Sequence, residues 1–208
     1  MTTKKLVLPP TIRMLTEDEL PANPSLLARL KEGQQANIVP GYTFTPKTKN
    51  ENQQELPFSF YAEINVDNTQ LWELFIALAA TLPQQASLLF GPIDADIHYG
   101  NYTDTASILQ TLEPYKTELT QDPFLVFALL YHDKEQLIEI YVDESKYIKY
   151  WGVDESAFRS LLAKYQLTEQ EDLNFIDEYP KIRNNLKLAN PSVLDTAELI
   201  QLLLVTFT

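Results

Sequence analysis

The stretch FLVFALLYHDKEQLIEIYV, Phe124 to Val142, carries the reading of the fold. Its first part, FLVFALLY (124–131), is apolar throughout and short, the pattern of a central strand buried on both faces. HDKE follows as a turn. QLIEIYV (136–142) returns as a partner strand, and a connection this short joins only antiparallel neighbours. YIKYW (147–151) reads as a third strand.

Working outward, FSFYAEINV (58–66) reads as a strand and ASLLF (86–90) as a shorter one. Between them a helix over Asn68–Thr81 sets Leu71, Trp72, Phe75, Ile76, Leu78 and Ala79 on a broad apolar face. Asp67 and Gln70 have the spacing of a capping box at its start, and Pro83 stops it. Thr103 or Asp104 caps a second helix that turns Ile108, Leu109 and Leu112 inward. VDESAFRSLLAKYQL (153–167) is a helix capped by Asp154, with Phe158, Leu161, Leu162 and Tyr165 at helical spacing. A last helix runs from about Asp195 to Val205. The class is α+β: a mostly antiparallel sheet with helices packed on one face.

Seven of the 13 prolines fall in the first 57 residues. They predict an irregular proline-rich N-terminal arm over 1–57, holding one short helix at Pro24–Glu32 and a mobile polar loop at PKTKNENQQ (46–54). Residues 58–208 form a single α+β domain. An apolar fraction of 45% over 208 residues supplies a core without staples. Cysteine is absent, which excludes disulfides, thiolate zinc sites and a cysteine nucleophile. MTTKKLVLPPTIR is too short in apolar residues for a secretory leader, and the longest apolar runs fall below the ~18 residues of a membrane span. The expected address is cytoplasmic.

The formal net charge of −13 argues against nucleic acid and anionic membrane as partners, since phosphate contacts need lysine and arginine. Residues 51–112 carry 8 acidic and no basic side chains, and no lysine or arginine lies between Lys49 and Lys116. Carboxylates there have no neutralising neighbours in sequence. The stretch serves either solubility or a negative surface for a basic partner.

Within it, GPIDADIHYGN (91–101) places Asp94, Asp96 and His98 at alternate positions, which on an extended strand share one face. Alternate residues lie ~6.6 Å apart, so one metal ion could take two of the three, with His132 as a further ligand. A metal site would need Asp96 with His98, or Asp94 with Asp96, plus ligands from elsewhere; the candidate set is Asp96, His98 and His132. The ordinary reading is a half-buried strand with Ile93, Ala95, Ile97 and Tyr99 on its other face. There is no GxSxG elbow and no phosphate-binding glycine loop, so no cofactor is expected. Downstream, YVDESKYIKYWG groups Tyr141, Tyr147, Tyr150 and Trp151 among acids. On a hairpin Tyr147, Lys149 and Trp151 share a face while Ile148 and Tyr150 take the other. Such rings either complete the core or form an interface.

In composition and layout, an acidic, cysteine-free chain without a catalytic motif, the protein resembles bacterial immunity proteins that neutralise toxins. That likeness implies a non-enzymatic inhibitor-type protein whose acidic surface meets a basic protein. The partner-binding candidates, taken from the acidic strand and the aromatic hairpin, are Asp94, Asp96, His98, Tyr147, Lys149 and Trp151. The alternatives are a metal-assisted hydrolase on Asp96, His98 and His132, and a structural module that forms a homodimer through the aromatic hairpin.

Overall fold

The computed structural model describes residues 5–48 and 56–208. In chain order the elements are β1 (Ile12–Met14), α1 (Pro24–Gln35), β2 (Gly41–Pro46), β3 (Phe60–Asn65), α2 (Asn68–Ala79), β4 (Gln85–Pro92), β5 (His98–Tyr99) and β6 (Thr103–Asp104). There follow α3 (Thr105–Leu112), α4 (Lys116–Gln121), β7 (Leu125–His132), β8 (Leu137–Val142), β9 (Ile148–Gly152), α5 (Glu155–Lys164), β10 (Lys181–Arg183), α6 (Leu186–Ala189) and α7 (Thr196–Phe207). The main sheet has eight strands in the order β2-β3-β9-β8-β7-β4-β5, with β6 beside β4, and its pairings are antiparallel. The architecture is α+β, as the periodicities predict.

The apolar run lies inside this sheet as β7, between β4 and β8. Its side chains are buried on both faces from Leu125 to Leu129. The turn after it is built by Asp133, whose Oδ1 accepts the N–H groups of Glu135 and Gln136, both at 2.8 Å. Short polar side chains hold such turns by replacing a backbone acceptor.

One face of the sheet is the core. Phe60, Ala62 and Ile64 of β3, Ile148 and Tyr150 of β9, Ile140 and Val142 of β8, Phe127 and Leu129 of β7, and Leu88 and Phe90 of β4 form one cluster with residues of α2, α3, α4, α5 and α7. Two predicted caps form, and a third closes the start of the predicted last helix. Asp104 accepts Ser107 N–H, Asp154 accepts Ala157 N–H, and Asp195 with Glu198 completes a capping box on α7. Asp67 does not cap α2 with its side chain; its Oδ1 accepts Val7 N–H at 2.9 Å and so ties the N-terminal segment to the domain.

The N-terminal segment is more regular than an irregular proline-rich arm. β2 is an edge strand of the main sheet, β1 pairs with β10, and α1 runs one turn past the expected helix. The prolines sit where their missing N–H costs nothing: Pro24 opens α1 behind the Asn23 cap, and Pro46 ends the edge strand. Most of PKTKNENQQ lies outside the described residues.

Phe158 of α5 is fully buried among the rings of Tyr42, Phe60 and Tyr150, at centroid distances of 5.5, 5.0 and 5.1 Å. It joins edge strand β2 to the sheet centre. Phe158→Ala is expected to cost about 3–5 kcal/mol, read as a lowered urea midpoint with an unchanged slope.

Candidate functional site

Strand alternation sends every second side chain to the face away from the core helices. Cross-strand register aligns these side chains in rows. One row runs Tyr61, Trp151, Glu139, Leu130; the next runs Glu63, Lys149, Tyr141, Ala128. Except for buried Ala128, each of these side chains is partly exposed. The Tyr61 and Trp151 rings lie 4.8 Å apart with a 43° tilt. The result is an aromatic strip edged by carboxylates on a sheet face.

Lys149 is held at the centre. Its Nζ donates to Asp143 Oδ2 at 2.7 Å and stands 5.1 Å from the Tyr147 ring and 5.8 Å from that of Tyr141. Burial alone would lower its pKa; the Asp143 bond and the field of Asp143, Asp177 and Glu63 outweigh burial and hold it above the ordinary lysine value. Burial would likewise raise Asp143, but hydrogen bonds from Glu144, Lys149 and the Ser145 N–H leave it below the usual carboxylate range. Glu144 is raised, by burial and then by its hydrogen bond with Asp143 and that group's charge. Burial, reinforced by Asp143, Glu144 and Glu139, pushes the Tyr141 phenol up to about 12. Tyr147 is buried, donates to Asp177 Oδ2 at 3.1 Å, and stands far above its ordinary value for the same reasons.

The β8–β9 turn spends two more lysines on structure. Lys146 takes a left-handed backbone conformation (φ 63°) and sends a fully buried ammonium to the Leu125 carbonyl at 2.7 Å, with burial lowering its pKa to about 8. Lys181 of β10 donates to Ser145 Oγ at 2.6 Å.

Glu139 stands apart. It makes no ion pair or hydrogen bond among the described residues, and burial alone raises its pKa. A half-buried carboxylate without a partner costs stability whenever it is charged.

The residues singled out in the sequence are placed unequally. Lys149 and Trp151 lie on the aromatic face, with Ile148 and Tyr150 in the core, as the hairpin alternation predicts. Tyr147 has the same parity but is buried against Phe175, its ring 4.6 Å away, in a small second cluster with Val39 and Leu173. Asp94, Asp96 and His98 do not share a strand face. β4 ends at Pro92, Ile93 and Asp94 form a turn, and β5 folds back so that His98 pairs with Phe90. Asp94 and Asp96 are exposed, while His98 is half-buried with its ring 5.6 Å from that of Phe90. Pro-Ile-Asp-Ala-Asp is turn chemistry, and that local signal outweighs the alternation.

The two histidines are not brought together. His98 lies level with Phe127 through Phe90, whereas His132 is five residues further along β7, roughly 17 Å away at ~3.4 Å per residue. Among the described residues no group of three or more histidine, aspartate or glutamate side chains could hold a metal ion.

Asp94 does meet the aromatic hairpin. A cleft of about 400 Å³ is lined by Ile93, Asp94, Ala95, Val126, Tyr141, Glu144 and Arg183, so two segments far apart in sequence share one hollow beside the aromatic face. Apart from Glu63, which faces Lys149, the other acids of the lysine-free window are dispersed, as with Glu73 on α2 and Asp104 at the start of α3. The acidic concentration lies instead around β8 and β9, in Glu63, Glu139, Asp143, Glu144 and Asp177, and sequence position did not mark it. The outward alternation in YAEIN and LIEIYV was the available signal. No known protein family, curated protein or solved structure matches the chain. Among the described residues no helix is long and apolar enough to cross a membrane.

Lys149→Met leaves Asp143 buried without its cation. It is expected to cost about 1–3 kcal/mol near neutral pH, less than a fully buried pair because the Lys149 side chain is 26% exposed. The Asp143 pKa is depressed on folding, so this stabilisation is present above the carboxylate range and lost as pH falls through the folded-state value; the gap from wild type closes in acid. Glu139→Gln has the opposite sign. The Glu139 pKa is raised on folding, so the charged form carries a penalty that vanishes below the unfolded carboxylate value. Thermal scans are expected to show the glutamine variant melting higher at pH 7–8 and level with wild type near pH 4.

Proposed function

We propose that this chain is a non-enzymatic acidic binding protein of the immunity or inhibitor type, and that it neutralises a basic protein docked on the second sheet face. The supporting observation is the row Tyr61–Trp151–Glu139: two partly exposed rings beside a carboxylate that pairs with no cation among the described residues. Aromatic side chains supply contact area at low entropic cost, and surrounding carboxylates speed encounter with a cationic surface. Asp94, at the rim of the adjoining cleft, extends the acidic surface toward the same side. The net charge of −13 supports the sign of the partner.

The test is capture from the source organism's extract on immobilised wild type and on a Glu63→Lys, Trp151→Ala double variant. A basic protein held by the wild type, released progressively between about 0.1 and 0.5 M salt and absent from the variant, is the expected result. Equal capture by both proteins, or a captured set without basic character, removes the proposal.

A further inference from the structure

We propose that the Tyr61–Trp151–Glu139 row seats one arginine side chain of the partner, its guanidinium stacked on the Trp151 indole and bonded to the Glu139 carboxylate. This deepens the binding reading above and rests on it.

The occupant follows from what surrounds Glu139. Its register neighbours are Trp151 on β9 and Leu130 on β7, both uncharged and both able to keep water from the carboxylate. No described residue bonds or pairs with it. The nearby cation, Lys149, sits in the next row and is already bonded to Asp143. Directly paired residues on neighbouring strands hold their Cβ atoms ~4.5–5.5 Å apart. A flat cation lying on the indole, within ~6 Å of its centroid, is therefore within reach of the Glu139 oxygens. Tyr61, 4.8 Å from Trp151, lengthens the platform on the other side.

Guanidinium fits better than ammonium for three reasons. It is planar and stacks; it donates two parallel hydrogen bonds to one carboxylate; and it gives up water more easily. Lysine is a strongly hydrated point charge, and in the adjacent row Lys149 shows where this protein puts one: at the end of a single bond to a carboxylate, over two phenol rings at 5.1 and 5.8 Å. The Glu139 site offers an indole instead.

The experiment follows the two indole N–H signals of the nitrogen-labelled protein, from Trp72 and Trp151, while adding acetyl-Gly-Arg-Gly-amide, its lysine counterpart or its citrulline counterpart. Trp151→Phe assigns the signals. Trp72 is buried and bonded to Glu113, so it serves as the internal reference. The arginine peptide is expected to move the Trp151 signal saturably at about millimolar concentration, with the lysine peptide several-fold weaker and citrulline without saturation. Glu139→Gln is expected to weaken the arginine peptide about tenfold while leaving the rest of the spectrum in place. An equal response to citrulline, or an undiminished response in the glutamine variant, overturns this inference. Capture of a basic protein that survives Glu139→Gln but not Glu63→Lys, Trp151→Ala overturns the arginine seat alone; no capture by the wild type overturns both readings.

Discussion

The pairing of β3 with β9 is the constraint on which the rest of the molecule depends. It joins Phe60–Ile64 to Ile148–Gly152, segments separated by most of the domain. The register is locked at Gly152, where an added Cβ would lie 2.4 Å from Tyr150 Cε1 and 2.8 Å from Phe60 Cζ. Those two rings, with Phe158, fill the space that any side chain would need. Because side chains alternate, a pairing that puts Phe60 and Tyr150 into the core also puts Tyr61 and Trp151 side by side on the far face. The candidate surface is thus a consequence of core packing.

Charge is organised by the same geometry. The chain is acidic, yet near β8 and β9 the lysines are bound internally: Lys149 to Asp143, Lys146 to the Leu125 carbonyl, Lys181 to Ser145. These bonds stabilise the hairpin and the β10 segment beside it, and they consume positive charge that would otherwise offset the surface acids. Glu139 is left half-buried without a partner among the described residues.

The sequence reading succeeded where short-range physics decides. The apolar run at 124–131 is short and flanked by turn residues, which favours a buried strand, and aspartates at 104 and 154 satisfy helix N–H groups within three residues. It went wrong where two local signals competed. In GPIDADIHYGN the alternation suggested a strand, but Pro92 and the following aspartate made a turn, and the return strand retains only His98 and Tyr99. The prolines of the first 57 residues suggested irregularity around the one expected helix, yet Pro46 occupies a position that tolerates it, so an edge strand forms after that helix. Asp67 had the spacing of a cap and was taken by the Val7 amide, a partner 60 residues away.

By itself the sequence determined the kinds of element, the antiparallel hairpin at 125–142, the alternation that sends Lys149 and Trp151 away from Ile148 and Tyr150, and the acidic balance. These depend on period, turn length and composition, which are properties of neighbouring residues. Only the tertiary structure decided that Tyr61 lies on Trp151, that Asp94 shares a cleft with Tyr141 and Glu144, that His98 and His132 stay apart, and that Glu139 meets no cation among the described residues. Each of these depends on strand order and register between distant segments. That register is chosen by how the rings of Phe60, Tyr150 and Phe158 pack around a glycine, and no local pattern encodes it.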